Sequence, residues 1–222
     1  MTCNYRVLIA ALLIVLGSGS RRTEAQAPTE QARPLSTTNT YVFLIGSGFL
    51  CEPGDISICP ATVRGNSGDS YEMTGAGLFD AQSKSVNATG TYTHKSPNGN
   101  VLETGVWIGT ELMSFVFYGT VLNTLRRNGV AFSPAAFGLK RLAMPPGPMP
   151  TGGLAKFRIR LLPMQSTSTT AVLQANCILG DVPNERSVEG IRLSLERNNS
   201  EYSEEVSGRV MFLAMRQEAN TP

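Results

Sequence analysis

Apolar and polar side chains alternate along most of this chain with a period of two. Between Leu154 and Leu162, Ala155, Phe157, Ile159 and Leu161 share one face while Lys156, Arg158 and Arg160 share the other. Ile191, Leu193 and Leu195 alternate in the same way with Arg192, Ser194 and Glu196. This period turns one set of side chains into a core and the other into solvent, as a half-buried strand does. Comparable runs occupy roughly 41–50, 69–79, 85–95, 100–110, 112–119, 170–179 and 206–215, separated by Gly, Pro, Asn and Asp. About nine short strands at this spacing predict an all-β fold, an antiparallel β-barrel or β-sandwich in a single domain over residues 40–222. Thr120 to Arg127 is the segment that reads as a turn or two of helix. The Pro/Gly-rich AMPPGPMPTGG, 143–153, predicts a long loop inside the domain. The residues after it are too few to make more than a marginal core of their own.

The segment 75–109, GAGLFDAQSKSVNATGTYTHKSPNGNVLETGVWIG, contains the only histidine and the only tryptophan of the chain. Its Ser96-Pro97-Asn98-Gly99 suits a type I turn closed by a glycine at positive φ, which pairs Ser96 with Asn100. Continued outward, that register sets Val86, Ala88, Gly90, Tyr92 and His94 opposite Thr110, Ile108, Val106, Thr104 and Leu102 on an apolar face. The polar face then carries Thr89 opposite Trp107 and Thr93 opposite Glu103. His94 is expected as a partly buried rim residue hydrogen-bonded to backbone, on the face away from Glu103. A His94–Glu103 catalytic dyad is disfavoured, because a general base needs its carboxylate within hydrogen-bond reach. Trp107 lies beside bare Gly105 and Gly109, which would leave its ring open so that Trp107 and Thr89 could stack on a sugar or another planar ligand; the reading weighed above it is a ring covered by a second sheet or the 120–150 loop and made core.

The N-terminus adds an address. Met1 to Arg6 is basic, Val7 to Leu16 is an apolar run of ten, and Ala25-Gln26-Ala27 offers a cleavage site, with Gly17-Ser18-Gly19 a nearer alternative. A run of ten falls short of the roughly 20 residues that span a bilayer. Residues 1–27 therefore read as a secretory signal peptide and 28–39 as a flexible arm, giving a secreted or periplasmic protein without stable membrane insertion. In that compartment Cys51 and Cys59, which bracket EPGDISI, are expected to form a disulfide. Cys177 shares a strand face with Leu173, Ala175 and Leu179 and reads as a buried free thiol, a bridge to Cys51 or Cys59 being the alternative.

Charge and chemistry narrow the function classes. The formal charge of +2 falls to neutrality once residues 1–27 are removed, leaving 16 basic and 16 acidic side chains. Neutrality gives no support to nucleic-acid binding. The cysteines and the single histidine lack metal-ligand spacing, so no metal and no organic cofactor is expected. GNSGDS, 65–70, lacks the G-x-S-x-G spacing of a hydrolase nucleophile. Asp69, Glu72, Asp80, Glu103 and Glu111 could include a pair for glycoside hydrolysis but read first as solvated carboxylates. Lys156, Arg158 and Arg160 form a cationic row that could meet an anionic ligand, or that discourages edge pairing. ATGTYTHK and ETGVWIG resemble strands of the avidin barrels over about fifteen residues. The likeness implies a small antiparallel barrel; avidin barrels hold their ligand among several tryptophans, and no binding residue carries over to this chain. The expectation is a non-enzymatic binding or structural module whose partner is a small molecule, a glycan or a protein. The alternative is a small extracytoplasmic hydrolase acting on carbohydrate or ester.

Overall fold

The computed structural model describes residues 39–51, 58–121, 148–186 and 188–215. Ten antiparallel strands form one sheet: β1 Thr40–Ile45, β2 Ala61–Gly65, β3 Ser70–Asp80, β4 Val86–Lys95, β5 Val101–Thr120, β6 Met149–Pro163, β7 Thr169–Cys177, β8 Gly190–Leu195, β9 Ser200–Ser207 and β10 Val210–Ala214. Hydrogen-bonded pairing runs from β2 through β3, β4, β5, β6, β7, β8 and β9 and returns to β2, so the sheet closes into a barrel.

β3 and β6 are long enough to take two neighbours in succession on one edge. Ser70 to Met73 pair with β2 and Gly75 to Asp80 with β1. Met149 to Thr151 pair with β10 and Gly153 to Leu161 with β7. β1 and β10 pair with each other, so they close the second end of the barrel. Closure removes the open edges that would otherwise template aggregation.

The alternating apolar positions fill the interior. Phe43, Phe79, Phe157 and Phe212 pack together at its centre, the Phe43 and Phe157 rings stacked at 4.7 Å. Ala155, Phe157, Ile159 and Leu161, and across from them Ile191, Leu193 and Leu195, are all buried, as their alternation predicts. The 66–69, 96–100, 164–168 and 196–199 turns lie at the same end, because each joins consecutive antiparallel strands of the closed circuit.

Several expectations are corrected. Residues 149–153 are strand, not loop: paired with β10 on one side and β5 on the other, they gain ladder bonds that outweigh their Pro/Gly composition. The 100–110 and 112–119 runs are one strand, broken in pattern by extra residues at Thr110, Met113 and Tyr118. The strands β2 and β9 were not anticipated. The expected signal peptide, residues 28–38 of the arm, the 122–127 helical turn and residues 143–147 lie outside the described residues. Asn39, the last arm residue, accepts a backbone hydrogen bond from Ala81 at 2.7 Å. Among the described residues no helix is long and apolar enough to cross a membrane.

Candidate functional site

The 96–100 turn forms as its residues predict, with Ser96 N–H donating to Asn100 O at 2.8 Å and Gly99 at φ +80°. The pairing then departs from the simple register. Lys95 faces Val101, but His94 faces Glu103, so Leu102 is an extra residue on β5. A one-residue bulge turns every following side chain to the opposite face. β4 presents its predicted face inward, whereas β5 presents Gly105 and Trp107 inward and leaves Val106 exposed.

Trp107 is thus core, with 0% of its surface exposed. Its indole N–H donates to Thr74 O at 2.9 Å. A Cβ at Gly90 would lie 2.4 Å from that indole nitrogen, so the glycine backs the ring closely and does not open it to ligand. Thr89 is exposed on the outside and donates to Trp107 O at 3.0 Å, away from the ring's own environment. The stacking platform expected from Trp107 and Thr89 is withdrawn on this geometry. Lys156, Arg158 and Arg160 do line the outer face of β6, but Arg158 is held by Glu111 at 2.8 Å and Glu196 at 3.7 Å. The central charge of the row is already compensated. Cys51 and Cys59 form the expected disulfide. Cys177 is free and buried, and burial pushes its thiol up to about 12, which makes it inert at neutral pH.

The same bulge brings Glu103 beside His94 at the hairpin end, and the turn after β2 supplies Asp69. His94 Nε2 and Asp69 Oδ2 are 2.7 Å apart, with side-chain exposures of 18% and 14%. The expected backbone partner of His94 is therefore replaced by a carboxylate. Tyr202 Oη donates to the same Asp69 oxygen at 2.7 Å, and Ser67 Oγ donates to the other. Burial alone would raise the Asp69 carboxyl, but hydrogen bonds from Ser67, Tyr202 and His94 bring it down to about 2. Tyr71 stacks on the imidazole with centroids 4.3 Å apart and planes within 8°, and Tyr202 meets both rings edge-on. His94 is fixed in orientation by a carboxylate and an aromatic face together.

A cleft of about 470 Å³ opens beside this cluster, lined by His94, Val101, Leu102, Glu103, Met164 and Ser166 among others. Ser166 Oγ donates to Glu103 Oε1 at 2.9 Å. One layer deeper, Tyr92 is buried with its hydroxyl against the Glu103 carboxylate. Burial, then the nearby Glu103 carboxylate, push the Tyr92 phenol well above its ordinary value, and the same two causes lead the rise at Tyr71. Among the described residues no group of three His, Cys, Asp or Glu side chains is arranged to hold a metal ion. The arrangement can orient an imidazole and present a carboxylate to a small molecule.

Asp69 was visible in the sequence only as one of a list of carboxylates, whereas Glu103 was weighed as a partner of His94 and set on the opposite face by a register that the bulge overturns. Tyr92 was expected on the apolar face, but not beside Glu103, and Tyr202 carried no sequence signal. No family model, no curated protein and no solved structure matches this chain, so the site is read from its own geometry.

Proposed function

We propose that this protein is an exported β-barrel that binds a small ligand, without chemistry, in the cleft at its hairpin end. The observation that carries the reading is the convergence of partly buried polar groups and exposed apolar side chains in one preformed cleft. The cleft's polar side chains, His94, Glu103, Thr104, Gln165 and Ser166, outnumber the apolar Val101, Leu102 and Met164, a mixture suited to a polar ligand with a small apolar face. Export is supported by the basic-apolar-small pattern of the N-terminus and by the Cys51–Cys59 disulfide, which persists in oxidising compartments. Ligand-observed NMR with a panel of glycans and small hydroxylated or charged compounds tests it. Thr104, exposed at the cleft, becomes Trp to fill the space. Binding that disappears in a folded Thr104→Trp variant is expected; binding that persists unchanged refutes the site.

A second reading, a small hydrolase of carbohydrate or ester, draws support from one contact, the Asp69 carboxylate on His94. An imidazole oriented this way is what a general base requires. Against it, Ser166 Oγ is turned to Glu103, and no hydroxyl is hydrogen-bonded to His94 among the described residues. His94→Gln separates the two readings. It should leave ligand binding in place, whereas loss of a general base lowers turnover by about 10²–10⁴-fold.

A further inference from the structure

We infer that Met164 is an oxidative modification site: a peroxide converts its thioether to the sulfoxide at the rim of the cleft, and Thr104 selects which sulfoxide epimer forms. The inference rests on the geometry of the rim and holds whatever ligand the cleft takes.

Exposure separates Met164 from the other methionines among the described residues. Met73 and Met149 are buried and Met211 is half-buried, while Met113 and Met215 are exposed to 39% and 37%. Met164 is exposed to 81%. Its backbone is nonetheless fixed, because Met164 N–H donates to Thr104 O at 3.1 Å just beyond the end of β6. The sulfur is therefore open to a dissolved oxidant and held at one place on the barrel.

The contact of the sulfur itself is a second, independent observation. Thr104 Oγ1 donates to Met164 Sδ at 3.8 Å. A thioether sulfur is a weak acceptor with two lone pairs. Thr104 engages one of them and leaves the other to solvent. That free pair attacks one oxygen of the peroxide, the O–O bond breaks and an S–O bond forms. With hydrogen peroxide, the proton on the transferred oxygen passes to the departing hydroxide, which leaves as water. The sulfur loses two electrons and the peroxide gains them. Addition from the open side alone yields one of the two sulfoxide epimers. The product puts a polar, chiral group where a flexible apolar one stood, beside Gln165 and Ser166 of the cleft lining. A methionine sulfoxide reductase specific for that epimer reverses the change.

Limited treatment of the intact protein with hydrogen peroxide, followed by proteolytic mapping with mass spectrometry, tests the inference. Met164 should oxidise about tenfold or more faster than the buried Met73 and Met149, and ahead of Met113, Met211 and Met215. The epimer is read by incubating the digest with each of the two epimer-specific reductases. One should restore most of the Met164 sulfoxide and the other little. Thr104→Val, which deletes the donor, should let both reductases restore comparable amounts, whereas Thr104→Ser, which keeps the hydroxyl, should retain the excess. Oxidation of Met113 or Met215 as fast as Met164 overturns the site. Equal restoration by the two reductases in the native protein, or the same epimer excess in a folded Thr104→Val variant, overturns the role given to Thr104.

Discussion

Deleting Leu102 is the sharpest test of the architecture, because two registers predict opposite results. In the bulged hairpin, Lys95 faces Val101 and His94 faces Glu103, with Leu102 accommodated between them. Leu102 is 57% exposed, and the 96–100 turn does not involve it. Removing it leaves Val101 outward, Glu103 inward and every later pair of β4 and β5 in place. The expected cost is about 1 kcal/mol, the scale of a surface change together with the lost local twist of a bulge. In an unbulged hairpin the same deletion would slip the register by one and exchange the two faces from residue 103 onward. Core side chains would be driven into solvent, each at a cost comparable to a large-to-small core substitution, about 3–5 kcal/mol for an aromatic. Trp107→Ala provides the internal scale, since it empties the site of a fully buried ring and leaves Thr74 O without its donor. Guanidinium melts followed by circular dichroism give the free energies, and acrylamide quenching of the single tryptophan reports whether Trp107 stays buried. A loss above about 4 kcal/mol, or a quenchable tryptophan in the folded deletion variant, refutes the register and with it the placement of Glu103 beside His94.

Two further outcomes follow from the same hairpin and its neighbours. A Cβ at Gly90 would lie 1.8 Å from Thr74 O and 2.4 Å from the Trp107 indole nitrogen, whereas one at Gly99 meets nothing within 4 Å. Gly90→Ala should therefore cost about 3 kcal/mol or more in denaturant melts, and Gly99→Val only the strain of its positive φ, about 1–2 kcal/mol; the reverse order would remove the glycine's role behind Trp107. Asp69 is held at about 2 against an ordinary 3.8, so it binds a proton less readily when folded than when unfolded. The stability it adds is full above about pH 4 and is lost as pH falls towards 2, a component of about 2 kcal/mol. Melts of the native protein and Asp69→Asn should differ by that amount at pH 7 and converge near pH 2; a gap that does not narrow would show that Asp69 is not held by these hydrogen bonds.

Local rules made much of the barrel legible. β6 from Ala155 onward, β7 as far as Ala175 and β8 from Ile191 alternate because each is buried on one face there, and their inward residues are the ones the pattern assigns. The turn at 96–100 was readable because Pro97 and Gly99 have conformational preferences of their own. β2 is only five residues long, and β9, SEYSEEVS, is so polar that Tyr202 is its one buried side chain. Neither leaves a periodic signal. The bulge at Leu102 had none either: Val101 and Leu102 are both apolar, and an unbroken alternation through them was the simpler reading. That one residue moved Trp107 into the core and Glu103 to the side of His94. The His94 cluster was further hidden by distance along the chain, since Asp69 and Tyr202 reach it from turns and strands that only barrel closure brings together.

The location of the site follows from how the barrel satisfies its polar atoms. Its middle is filled by Phe43, Phe79, Trp107, Phe157 and Phe212, all buried in one core. Towards the end that β1 and β10 close, the buried polar groups answer one another. Tyr118 Oη donates to Asn176 Oδ1, the Asn176 amide donates to the carbonyls of Arg186 and Val188, and Thr151 Oγ1 donates to Phe212 O. At the hairpin end Tyr92 and Ser166 both approach the Glu103 carboxylate, and His94 and Tyr202 both hold Asp69. With its middle filled by ring side chains, the barrel would meet a ligand at an end, and at the hairpin end a cleft of about 470 Å³ presents a carboxylate and an oriented imidazole together.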